Sequence, residues 1–248
     1  KAWIYSNEER FQLVYQWGRL RIMSLCADPT TFGILMACFS MFCVALFIGP
    51  TKVWQKALLA VFALCALWAM AYSGTRTAVA LVPLGALFYG GLILNRKVVL
   101  AGSVLAIIGG LFILKPTSNP VIWRIQSAFK VKTDESMNVR FVNQRRIQPY
   151  IQSHPFGGGL GSCGVWGKRF TPNSELAKFP HDSSFVRMGV ELGWIGLILY
   201  TLFHYFVLHT GIYYFIRCRD PFIKSVYAGA TTWCFMLTVA CYAQEAIL

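Results

Sequence analysis

The stretch Pro180–Tyr200, PHDSSFVRMGVELGWIGLILY, passes from a histidine and an aspartate into a long apolar run. At helical spacing Phe185, Met188, Leu192 and Ile195 share one face, and Ser184, Arg187 and Glu191 share the opposite one. That pattern predicts an amphipathic interfacial turn, capped by Ser183 or Ser184. It leads into a membrane-spanning helix at Gly193-Trp194-Ile195-Gly196. Ionisable groups at the mouth of such a helix either anchor it at the interface or do chemistry at the water–lipid boundary.

Working outward, the rest of the chain agrees with a membrane setting. Of its 248 residues 56% are apolar and 13% charged, which leaves too little polar surface for a soluble domain of this length. Apolar runs of spanning length fall at about 31–49, 55–72, 77–94, 98–114, 193–215 and 222–243. The fold class expected is therefore an all-α, polytopic membrane helix bundle. It divides into an extracytoplasmic segment at 1–29, four transmembrane helices over 30–114 and a large, partly helical extracytoplasmic loop over 115–185. The interfacial helix and two further transmembrane helices occupy 186–248. The absence of an initiator methionine, and the apolar run close to the end, mark the chain as a piece of a longer protein.

Asn95–Lys97 reads as a tight helix–helix turn. Alternation of the runs puts Lys52, Lys56, Arg96, Lys97, Arg217, Arg219 and Lys224 on one side, which the positive-inside rule makes cytoplasmic. The opposite side carries YSGTR (Tyr72–Arg76), the N-terminal stretch and the long loop. The eight cysteines suggest no disulfide framework: Cys38, Cys43, Cys65, Cys234 and Cys241 lie in apolar runs, and only Cys26 and Cys163 stand apart as a possible pair.

The 115–185 loop holds ten basic residues against four acidic ones and keeps aromatics such as Trp123, Tyr150 and Trp166, so it is not disordered by composition. A structured basic loop suits either an anionic partner or a face near anionic headgroups. Asn138–Ser162, NVRFVNQRRIQPYIQSHPFGGGLGS, reads as a helix as far as Pro149, with Arg140 and Gln144 on one face, followed by a glycine-rich turn. Gly157, Gly158, Gly159 and Gly161 either let the loop pack tightly or let a substrate approach its backbone. It is not a Walker loop, because no Gly-Lys-Ser/Thr follows.

Three further groups carry chemical potential. Ser73, Thr75 and the helix start at Arg76 either form an anion-binding corner or only let the arginine snorkel to the interface. Arg187 and Glu191, four residues apart, either pair with each other or leave Arg187 for an anion. His181 is the one side chain in the opening stretch whose ordinary titration range suits base catalysis near neutral pH. His154, beside Pro155, reads as structural, and His204 and His209 as packed or interfacial. The histidines are dispersed, with no HExxH and no DxD, so the sequence offers no metal-ligand spacing and no cofactor motif.

Taken in order, SGTR between two helices, Arg140 ahead of HPFGGGLG, and His181 opening HDS…VELGWIG resemble the O-antigen ligase/polymerase superfamily of bacterial membrane glycosyltransferases. GRLRIMSLCADPTTFG (Gly18–Gly33) is similar to the family's arginine-then-Asp-Pro entry into a helix. The resemblance covers about Arg19 to Tyr200. Two positions depart from it: Asp182 stands where an amide or hydroxyl residue is usual, and one extra residue separates His181 from Gly193. The resemblance implies an enzyme at the periplasmic face of the inner membrane that moves a glycan from an undecaprenyl-diphosphate carrier to an acceptor hydroxyl, lipid A core being favoured.

By that resemblance Arg76 and Arg140 would be the essential arginines and His181 the base, in a metal-independent, inverting displacement. Ser73, Thr75, Arg145, Arg187 and Gly159 would line the substrate. Polymerisation of carrier-linked repeats and protein O-glycosylation belong to the same family. A multi-pass transporter would instead bury ionisable residues deep within its spans, and these spans are nearly free of charge. A non-enzymatic scaffold would tolerate Arg76→Ala and His181→Ala.

Overall fold

The computed structural model describes residues 15–16, 19–26, 28–94, 135–180 and 183–244. Apart from a two-residue antiparallel pair, β1 (Tyr15–Gln16) with β2 (Arg19–Leu20), its regular structure is helical. It has α1 (Pro29–Ile48), α2 (Val53–Ser73), α3 (Arg76–Ile93), α4 (Glu135–Ser153), α5 (Gly164–Phe170), α6 (Ser184–Arg217) and α7 (Pro221–Ala243). Five of these, α1, α2, α3, α6 and α7, are long and apolar enough to cross a membrane. The protein is an all-α, multi-pass membrane helix bundle. The apolar run at 98–114 and the turn at Asn95–Lys97 lie outside the described residues.

Two helices open on the same two-residue signal. Asp28 accepts from the amides of Thr30 and Thr31 at 2.6 and 2.8 Å, with Pro29 as the first residue of α1. Asp220 accepts from Phe222 and Ile223 at 2.8 and 3.0 Å, with Pro221 opening α7. In each the aspartate satisfies orphan amides of the first turn, and proline occupies the position where its missing N–H costs nothing.

The chain forms two compact units, residues 1–129 with 212–236, and residues 130–211 with 237–248. In the first, α1 is the inner helix. It buries Ile34, Ala37, Cys38, Met41 and Ala45, while α2 leaves much of its length exposed. Small residues let the helices close up. A Cβ on Gly229 would stand 2.8 Å from the Phe42 ring, and one on Gly85 would stand 3.0 Å from Met236 Cγ. Phe88 stacks on Phe235 at 4.1 Å, and Tyr89 donates to the Ala45 carbonyl at 3.3 Å. Gly49, ending α1, packs on Ser225 of α7. This brings the basic turn at Lys52 and the start of α7 to one end of the unit, opposite the α2–α3 turn.

The second unit has its own core of Ile147, Cys163, Phe179 and Val190, with Tyr150, Ile151, Leu176 and Val186 packed against it. Ile147, Tyr150 and Ile151 are spaced i, i+3, i+4, so one stripe of α4 turns inward while Arg145 and Arg146 stay exposed. α4 does not end at Pro149 as the sequence suggests; it runs through to Ser153. The missing proline N–H is tolerated on an exposed face. Ser153 Oγ then closes the last turn on the carbonyls of Pro149 and Tyr150, at 3.0 and 3.1 Å.

Candidate functional site

In the first unit the candidate residues Ser73, Thr75 and Arg76 lie at the end where α1 begins, α2 ends and α3 begins. The α2–α3 turn is two residues long and is possible because Gly74 takes a left-handed conformation, φ 66°. Arg76 is the first residue of α3 and is exposed. Ser73 and Thr75, expected to line an anion-binding corner, are instead buried with relative exposures of 0% and 3%. Ser73 Oγ donates to the Met70 carbonyl at 2.7 Å and accepts from Thr75 N at 3.3 Å. Thr75 Oγ1 donates to the Pro29 carbonyl at 3.2 Å. These hydroxyls stitch helix ends together, because polar groups buried at the turn need partners within the protein.

Arg21 completes the stitching. Its Nε donates to the Ser73 carbonyl at 2.7 Å and its Nη2 to Thr75 Oγ1 at 3.1 Å, and Ile22 N reaches the Tyr72 carbonyl at 3.4 Å. In the sequence Arg21 stands out only as part of the Gly18–Gly33 stretch, the arginine-then-Asp-Pro entry, seven residues ahead of the Asp28-Pro29 cap. Gly33 of α1 faces this corner so closely that a Cβ would collide with Ser73 Oγ and stand 3.0 Å from Thr75 Oγ1. The Thr75 side chain makes no capping bond to α3, and Arg76 stands at that helix's N-terminus. That is an arrangement suited to an anion.

In the second unit the glycine-rich loop His154–Gly161 has a definite task. α6 is interrupted at Gly193, φ 68° and ψ −169°, which is non-helical. The break leaves carbonyls without intrahelical partners. Gly158 N donates to the Val190 carbonyl and Gly159 N to the Glu191 carbonyl, both at 2.9 Å, while the Pro155 carbonyl accepts from Ile195 N at 3.4 Å. The loop therefore caps both sides of the break. The fit is tight: a Cβ on Gly157, φ 68°, would stand 2.6 Å from the Glu191 carbonyl, and one on Gly193 would collide with the carbonyls of His154 and Pro155. The amide of Gly159, expected at the substrate, is committed inside the chain. His154 is fixed beside the loop, its Nδ1 within 3.0 Å of the Tyr150 carbonyl and its ring stacked on Tyr150 at 4.1 Å.

Ahead of the break, Ser184–Leu192 is helical, but its polar face points inward. Ser184 and Glu191 are fully buried and Arg187 is half-buried, whereas Phe185, Met188, Leu192 and Ile195 are only partly covered. Ser183 and Ser184 do not cap their own helix. Ser183 Oγ donates to the Cys241 carbonyl at 3.1 Å, and the amide and hydroxyl of Ser184 both reach the Gln244 carbonyl at 3.4 Å. The start of α6 is thus bonded to the end of α7. Arg187 Nε meets Glu191 Oε1 at 3.2 Å, and Cys163 donates its thiol to the same oxygen at 3.4 Å. Neither Cys26 nor Cys163 is in a disulfide.

Of the expected site residues, Arg140 lies in α4, five residues ahead of the exposed Arg145. His181 and Asp182 lie outside the described residues, immediately ahead of Ser183. Arg76, Ser73 and Thr75 fall together in the first unit; Arg140, Arg145, Arg187 and Gly159 fall in the second.

Comparison with known families gives one match: the family described as O-antigen ligase, over residues 60–201, more than half of the chain. No curated protein and no solved structure matches. The matched region begins within α2, takes in the Arg76 corner, α4 and the glycine-rich loop, and ends within α6.

Proposed function

The chain belongs to the O-antigen ligase family, and from that premise we propose that it transfers a glycan from an undecaprenyl-diphosphate carrier to an acceptor hydroxyl at the periplasmic face of the inner membrane. The 115–185 segment is then the catalytic loop, and the basic turns at Lys52 and at Arg217–Lys224 face the cytoplasm. The observation that carries the reading is the family match itself, which spans the SGTR corner, the arginine-bearing α4 and the start of α6 in one continuous stretch.

In this reaction the acceptor oxygen forms a bond to the anomeric carbon while the bond from that carbon to the carrier diphosphate breaks. The electron pair leaves with the diphosphate, and the configuration inverts. Arg76 and Arg140 bind the diphosphate oxygens and stabilise the negative charge that grows there, and Arg145 adds to the positive field. His181 takes the proton of the acceptor hydroxyl, with Asp182 beside it to orient the imidazole. Ser73 and Thr75 serve by holding the corner that presents Arg76. Gly159 serves by capping the break in α6. Lipid A core is the favoured acceptor. Polymerisation of repeats and transfer to protein hydroxyls use the same chemistry.

The test is glycan transfer by purified full-length protein from a carrier-linked donor. Arg76→Ala, Arg140→Ala and His181→Ala should each lower turnover on the order of a hundredfold or more, the cost typical of losing one preorganised charge-stabilising or proton-transferring group. Undiminished transfer in all three would overturn the site. In cells, loss of a ligase leaves unsubstituted core, whereas loss of a polymerase leaves core bearing a single repeat.

A further inference from the structure

Four large apolar side chains of the second unit stand in the open outside the spanning helices, in a segment whose side chains the proposed reaction does not use. Phe156 and Leu160 of the glycine-rich loop are each 79% exposed, Phe170 of α5 is 67% exposed, and Trp166 is half-exposed. Exposed apolar surface of this kind marks contact with a partner or a membrane. Leu160, Trp166 and Phe170 adjoin one another. A Cβ on Gly161, next to Leu160 in the chain, would lie 3.6 Å from Trp166 Cβ, and the Trp166 ring stacks on Phe170 at 5.9 Å. The Arg169 guanidinium lies 5.8 Å from the centre of each ring. α5 is fastened by its other side, where a Cβ on Gly167 would stand 3.0 Å from Ala177 Cα.

The level of this surface indicates what covers it. Phe156 is flanked by two residues that touch the α6 break. The Pro155 carbonyl accepts from Ile195 N at 3.4 Å, and a Cβ on Gly157 would stand 2.5 Å from Gly193 N. Phe156 is therefore level with Gly193, beyond which the uninterrupted apolar part of α6 opens at the half-exposed Trp194. That is the headgroup level of a bilayer, where aromatic residues concentrate. Charge points the same way: residues 154–180 carry Lys168, Arg169 and Lys178 against the single acid Glu175. Lysine and arginine only donate, which suits phosphate better than the mixed donors and acceptors of a sugar ring.

We propose that residues 156–170 form a membrane-surface anchor. Phe156, Leu160, Trp166 and Phe170 enter the interface of the leaflet beside the α6 break, and Lys168 and Arg169 meet the phosphates of anionic phospholipid. The anchor ties the depth of the glycine-rich loop, and with it the cap on the break, to the bilayer surface. This inference needs only a chain that spans a membrane, so it stands apart from the glycosyltransferase reading.

The experiment places the photoreactive residue benzoylphenylalanine at position 160 or 170 of the full-length protein. The protein is held in nanodiscs of phosphatidylcholine, alone or mixed with phosphatidylglycerol, and adducts are identified by mass spectrometry after irradiation. Both positions should yield phospholipid adducts, with phosphatidylglycerol enriched about threefold over its molar share. Lys168→Gln with Arg169→Gln, both on exposed side chains, should return that lipid to its molar share while phosphatidylcholine adducts persist. Absence of phospholipid adducts at both positions overturns the anchor, as does phosphatidylglycerol at no more than its molar share in the otherwise wild-type protein. Adducts to a carrier-linked glycan in place of phospholipid, when that donor is supplied, overturn it in favour of a glycan platform. None of these readouts requires turnover, so failure of the anchor and failure of the transferase reading are told apart.

Discussion

The two units solve one problem, the open ends of helices, with different chemistry. At the α2–α3 turn, hydroxyls and Arg21 close the carbonyls of Ser73, Met70 and Pro29, and Arg76 stays exposed. At the α6 break, backbone amides of glycines close the carbonyls of Val190 and Glu191, and Arg187 is drawn inward onto a buried acid. The residues that look most like ligand binders in sequence, the Ser-Gly-Thr turn and the triple glycine, are occupied in holding the fold. Each of these two regions also carries an arginine, Arg76 at the first and Arg187 at the second. The difference lies in how they are held: Arg76 by its position at a helix start, Arg187 by a carboxylate partner.

Substitutions can break or sharpen that comparison. The largest effect is expected from Gly193→Val. A branched side chain at φ 68° would enter the carbonyls of His154 and Pro155, so about 3 kcal/mol or more should be lost from strain and overlap. Purification and thermal unfolding should show little folded protein. Next comes Arg21→Ala, which removes two bonds from a charged donor at the first corner. Each such bond is worth about 1.5–3 kcal/mol, so the unfolding temperature should drop clearly. Transfer should fall as well, if the corner presents Arg76.

Asp28→Ala, removing the cap of α1, should cost about 1 kcal/mol and leave transfer nearly unchanged in the remaining folded protein. Gly159→Ala should have an effect of similar size. Its φ of 92° is unfavourable for alanine, but nothing stands within 4 Å of the new Cβ. A cost of about 1–2 kcal/mol from backbone strain is expected, with donor affinity unchanged. A loss of donor affinity at unchanged stability would show that the glycine loop touches the substrate after all, and would erase the contrast between the two units.

Much of the fold was legible residue by residue. The runs at 31–49, 55–72, 77–94 and 222–243 became α1, α2, α3 and α7 with boundaries shifted by two residues or fewer. The Asp28-Pro29 entry became a capped helix start. The site was less legible. The wheel for Ser184–Leu192 correctly grouped Ser184, Arg187 and Glu191, but not the side to which the group turns. α4 passed through Pro149 because an exposed face tolerates a lost amide.

What the sequence determined by itself is whatever a helix declares along its own length. Crossing a membrane requires about twenty apolar residues in a row, and starting a helix requires a cap within three residues of it; both are local demands that composition reveals. What only the tertiary structure decided is which distant group answers each orphan carbonyl or buried charge. Gly158 and Gly159 serve Val190 and Glu191, Ser183 serves Cys241, and Arg21 serves Ser73. These partners are separated by about 30 to 60 residues and share no periodicity. The pairing arises because a polar group removed from water must find a partner in space, and chain order does not specify where that partner stands.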